Sequence, residues 1–136
     1  MTTVQRVAQI FGWGLLIVGV IGFIYSISST EADPNMAPHI FGLFPTNLWH
    51  NIFHAVTGIW GIAASRSWDS SRTFCRVLGV IYIILVPLGF ITPDFFGIMP
   101  IGGNDIWLHA IIGIPLAYFG FSARTPSPTS TTTPNP

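Results

Sequence analysis

Four runs of the chain, residues 4–27, 46–64, 73–91 and 104–122, hold 19–24 residues each and carry almost no charge. No other feature constrains the fold as much. At about 1.5 Å per residue, a helix built from any of these runs can cross a hydrocarbon layer of about 30 Å. Within such a layer the backbone must satisfy its own hydrogen bonds, and a helix does this inside a single segment.

A water-soluble helical bundle is the competing fold. Its helices would need a charged outer face. The run 73–91 contains Arg76 near its start and no other charge, and Trp13, Trp49 and Trp60 would be left in water. Only 7% of all residues are charged, against about a quarter in soluble domains. The expected fold class is therefore all-α: an integral membrane four-helix bundle. The first run is expected to be a retained span, because its uncharged stretch from Val7 to Ile27 exceeds the roughly 7–15 apolar residues of a signal peptide. Residues 1–123 are expected to form one four-span membrane domain. Residues 124–136, rich in Pro, Ser and Thr, are expected to form a disordered cytoplasmic tail.

The charges set an orientation. Arg6 precedes the first run, Arg66, Arg72 and Arg76 lie around the connection between the second and third, and Arg124 follows the fourth. Glu31, Asp33, Asp94 and Asp105 fall on the other side, with no base among them. The positive-inside rule then predicts a multi-pass protein of the cell membrane with both termini in the cytoplasm. There is no lysine, so a basic surface for nucleic acid is excluded. The single Cys75 excludes an intramolecular disulfide and a cysteine metal cluster.

Residues 42–59, GLFPTNLWHNIFHAVTGI, align without gaps on residues 97–114, GIMPIGGNDIWLHAIIGI, at an offset of 55. Gly42, Pro45, His54, Ala55, Gly58 and Ile59 meet Gly97, Pro100, His109, Ala110, Gly113 and Ile114. More faintly, Gly12, Gly22 and Phe23 correspond to Gly79, Gly89 and Phe90 at an offset of 67. The bundle is thus read as two tandem helical hairpins related by an axis along the membrane normal, as in parallel transporter repeats. His54 and His109 then sit at one depth.

On a helical wheel Asn47, His50, Asn51 and His54 share a face with Gly58 and Gly61, while Leu48, Ile52, Phe53 and Trp60 lie mostly elsewhere. Small residues mark close helix contact in membranes, so the polar face should look into the bundle. In span four, Asp105, His109, Gly113, Leu116 and Gly120 form a drier stripe. Placing Pro45 in the first turn, where its missing N–H is harmless, puts His50 near the outer interface and His54 one turn deeper. Asp105 falls at a helix start, where the dipole favours a carboxylate. The candidate site is this polar intramembrane cluster: Asn47, His50, Asn51, His54, Asp105 and His109.

In membranes such groups often serve as interhelical hydrogen-bond glue, and Asn47 or Thr46 suits a helix cap. The leading expectation is accordingly a non-enzymatic structural or accessory protein, without cofactor, whose partners are the lipid bilayer and a larger membrane complex. The alternative is a haem-, pigment- or metal-binding protein using His54 and His109, with His50 as a third ligand; a chlorophyll-type pigment belongs to the same reading. A proton path through Asp105 and His109 would stop halfway, because the inner halves of the spans lack ionisable groups. No GxSxG, HExxH or phosphate loop occurs, so no enzyme is expected.

The segment from Gly42 to His54, with its H-N-x-x-H element (His50, Asn51, His54), and a second P-to-D-x-W-L-H segment ending at His109 resemble a bacterial family of small four-helix membrane proteins, domain of unknown function 4383. The resemblance covers roughly residues 4–122. Ile106 and Gly102 stand where the family tends to have Asn, so the second copy is less polar. The resemblance implies fold and membrane location, and no activity.

Overall fold

Each of the first three helices begins where a side chain takes up a free N–H near its first turn. In the computed structural model, which describes residues 1–128, the elements are α1 (Thr3–Tyr25), β1 (His39–Ile40), β2 (Phe44–Pro45), α2 (Leu48–Ala64), α3 (Trp68–Ile91) and α4 (Asp105–Ser122). Before α1, Gln5 Oε1 accepts from the Thr2 N–H at 2.9 Å. Asn47 Oδ1 accepts from the His50 N–H at 3.0 Å and starts α2. Ser67 Oγ does the same for the Ser70 N–H at 3.2 Å and starts α3, ahead of the apolar run at 73. Such caps satisfy donors that the helix itself leaves unpaired.

The cap on α2 corrects one expectation. Pro45 is not in the first helical turn; it belongs to the two-stranded antiparallel ribbon, where it pairs with His39. The neighbouring Thr46 N–H donates to Pro38 O at 2.8 Å, so the chain stays extended until Asn47 caps the helix. His50 is thus in the opening turn of α2, yet it is buried beneath the ribbon rather than at an open interface. Of the expected tail, residues 124–128 take no regular structure, and 129–136 lie outside the described residues.

Three helices, α1, α3 and α4, are long and apolar enough to cross a membrane. The outward faces agree: Ile24 is 78% exposed, Ile91 77% and Phe90 73%, side chains that water would not favour. Helix α2, with 17 residues, spans about 25 Å.

The buried stripe of α1 runs Val4, Ala8, Gly12, Leu15, Gly19, Gly22, at helical spacing. Its glycines bring backbones together. A Cβ on Gly12 would lie 2.6 Å from the backbone nitrogen of Ile62, and one on Gly19 would lie 2.8 Å from that of Ala55. In α3, a Cβ on Gly79 would lie 2.5 Å from the backbone nitrogen of Ala117. Helices α1 and α2 therefore form one tight antiparallel pair, and α3 and α4 another.

The pairs join chiefly through α1 and α3. Phe74, Cys75 and Leu78 of α3, none exposed, meet Val4, Ala8 and Leu15 of α1 in one apolar cluster. All five arginines lie at or near this end. Helices α2 and α4 stand diagonally opposite, with little backbone approach. At the other end two connections, 26–47 and 92–104, cover the bundle. They are tied across the pairs by Asn47 Nδ2, which donates to Ile98 O at 2.9 Å, and Asn104 Nδ2, which donates to Leu43 O at 2.9 Å.

Candidate metal centre

The space between α2 and α4 is filled by imidazoles. The Asn47 cap fixes the first turn of α2, so His50 and His54, four residues apart, project from one face. Their ring centroids are 4.4 Å apart. From α4, His109 comes within 6.0 Å of His50, centroid to centroid. One nitrogen from each of His50, His54 and His109 can be chosen so that all three lie within 4.8 Å of one another. None of the three residues is more than 5% exposed.

Asp105, in the first turn of α4, faces this group: its Oδ2 is 3.7 Å from His50 Nδ1. From α3, the Tyr82 ring stacks beside His109 at 5.3 Å. Tyr82 is missing from the set expected from sequence. A lone tyrosine in an apolar run has no periodic signal; its only clue was a hydroxyl without an obvious polar neighbour.

The six expected residues divide by what their polar atoms do. Asn47 is used up by structure, capping α2 and donating to Glu31 O at 3.2 Å as well as to Ile98 O. Asn51 turns toward α1: its Nδ2 donates to Ser26 O at 3.2 Å, and its Oδ1 accepts from the Thr46 hydroxyl at 2.5 Å. It occupies the space that a side chain at Gly22 would need. These two asparagines behave as helix-binding glue.

The other four do not. Among the described residues, the buried side-chain atoms without a hydrogen-bond partner include His50 Nδ1, both ring nitrogens of His54, His109 Nδ1, Asp105 Oδ2 and the Tyr82 hydroxyl. Buried polar atoms are overwhelmingly paired in folded proteins, and each one left unpaired costs about 1–3 kcal/mol. They are concentrated at one spot, where the protein itself supplies them no partner.

The donor set fits a small cation. Imidazole nitrogens suit zinc, copper, nickel and iron. Zinc–nitrogen bonds of about 2.0–2.1 Å place tetrahedral ligand nitrogens about 3.3 Å apart. In the present triangle the three chosen nitrogens lie within 4.8 Å of one another. The Asp105 carboxyl lies on the Nδ1 side of His50, where metal-bound imidazoles commonly keep a carboxylate, but at 3.7 Å it makes no direct hydrogen bond.

A family model described as Domain of unknown function (DUF4383) matches residues 5–122. No curated protein and no solved structure matches the chain.

Proposed function

The chain belongs to this family of unknown function, and we propose that it is a non-enzymatic membrane protein that holds one transition-metal ion on His50, His54 and His109. The observation that carries the proposal is the convergence of three buried imidazoles whose nitrogens largely lack protein partners. Hydrogen-bond glue, the leading expectation from sequence, describes Asn47 and Asn51 but not the histidines. Asp105, with its Oδ2 3.7 Å from His50 Nδ1, would help to orient His50. A porphyrin or chlorophyll fits less well than a single ion. The close approach of the His50 and His54 rings, and of Tyr82 to His109, favours an ion over a planar macrocycle.

The membrane setting is part of the proposal: four spans in the cell membrane, with both termini cytoplasmic. The grouping of all five arginines at the end away from the histidines supports this orientation. So is the tandem repeat. The glycines of the two hairpins make equivalent contacts: Gly12 against Ile62 and Gly79 against Ala117, Gly58 against Leu16 and Gly113 against Ile83, Gly22 against Asn51 and Gly89 against Ile106. Each pair follows the offsets of 67 and 55. The unusual left-handed pairs Phe41–Gly42 (φ 52° and 71°) and Phe96–Gly97 (φ 57° and 79°) also coincide at offset 55. Under this relation His50 is equivalent to Asp105, and His54 to His109, so the site lies at the axis.

The test is metal analysis of the purified protein in detergent after loading with Zn²⁺ or Co²⁺. One equivalent per chain is expected, with visible Co²⁺ bands of a nitrogen-rich site. His54→Ala and His109→Ala should abolish it, while His39→Ala, on the ribbon, should retain it. A wild-type protein that binds neither ion at micromolar concentration, or variants that bind as the wild type does, would overturn the proposal.

A further inference from the structure

Beside the imidazoles lies a partly enclosed cavity of about 170 Å³. Its walls are apolar, formed by Val18 and Ile21 of α1, Phe44 of the ribbon and Leu108 of α4; its polar lining includes His50, His54 and Asp105. His109 does not reach it. The rim includes Phe41, 66% exposed, on a surface otherwise suited to lipid.

Size and chemistry select an occupant. An apolar cavity of about 150 Å³ holds one benzene ring, so this one takes a single six-membered ring. At its polar end, His50 Nδ1 and Asp105 Oδ2 are 3.7 Å apart, and neither has a partner. That separation is too long for a direct hydrogen bond. It is short enough for one hydroxyl oxygen to donate to the carboxylate and accept from the imidazole N–H. A carboxylate head group or a permanent cation would each lose its hydration against apolar walls. A plain hydrocarbon would leave both polar atoms unpaired.

We infer that this cavity binds the one-ring phenol or hydroquinone head of a membrane-soluble amphiphile, with the hydroxyl bridging Asp105 and His50. The inference does not rest on the ion, since the cavity and the unpaired His50–Asp105 gap are present without one.

The probes are 4-hexylphenol and hexylbenzene, which differ by one hydroxyl. They are titrated into chelator-treated, full-length protein in lipid nanodiscs, with ¹⁵N-labelled histidine as the reporter. Four histidines keep the spectrum simple. Hexylphenol should shift His50 and His54, leave His39 unmoved, and half-saturate at a concentration at least tenfold below hexylbenzene. Leu108→Phe, which fills the cavity, and Asp105→Ala, which removes the acceptor, should each weaken hexylphenol at least tenfold. The native His39 signal verifies that each variant is folded. Equal binding of the two probes, no shift with either, or undiminished hexylphenol binding in folded Leu108→Phe would overturn the inference. Because the protein is metal-free throughout, these outcomes are independent of whether it takes up an ion.

Discussion

Replacing His54 with leucine should make the metal-free protein more stable, although it removes a central residue of the site. His54 is buried, and neither ring nitrogen has a hydrogen-bond partner. A neutral imidazole carries one donor and one acceptor, and a buried polar group left unpaired costs about 1–3 kcal/mol. Leucine is apolar, so it removes that penalty while keeping most of the packing. Allowing for imperfect fit to the imidazole-shaped space, the expected gain is about 1–2 kcal/mol. The assay is equilibrium unfolding of chelator-treated protein in mixed micelles, followed by the fluorescence of its five tryptophans. The same measurement with Zn²⁺ should reverse the order. An ion at a hundredfold excess over its dissociation constant stabilises the wild type by about 2.7 kcal/mol and should leave the variant unchanged. A loss of 1 kcal/mol or more in metal-free His54→Leu would refute the reasoning, because it would mean that the imidazole makes favourable hydrogen bonds.

Asn47→Ala removes a helix cap and two ties to loop carbonyls, and should destabilise the fold by about 1–3 kcal/mol in the same unfolding assay, with or without metal. Gly79→Leu should push α3 from α4 and cost at least about 1–3 kcal/mol, whereas Gly14→Leu, which has open space around its Cβ position, should be nearly neutral.

The helix faces were legible in the sequence because hydrocarbon leaves so few options. A polar residue in an apolar run must turn toward its neighbours, and helical spacing then says which residues turn with it. The stripe Asp105, His109, Gly113, Leu116 and Gly120 is the buried set of α4. The His50, His54, Gly58 and Gly61 face of α2 is buried likewise. What spacing could not show was the partner of each polar group. Asn47 and Asn51 share a face with the histidines, yet their amides are taken by carbonyls of residues 26, 31 and 98. Those carbonyls come from connections whose paths depend on tertiary contacts. The same connections pulled Pro45 out of the helix and into the ribbon. Tyr82 joined the cluster from α3, a helix whose polar content gave no reason to look there.

The two ends of the bundle are closed by different substances. At the arginine end, Phe74 and Leu78 wedge α1 against α3 in contacts that only hydrocarbon can make. At the ribbon end, the gap between the diagonal helices is bridged by rings that also accept water, an ion or a hydroxyl. The hairpins are therefore joined at one end by side-chain packing and at the other by two amide ties, Asn47 to Ile98 and Asn104 to Leu43, laid over the polar gap.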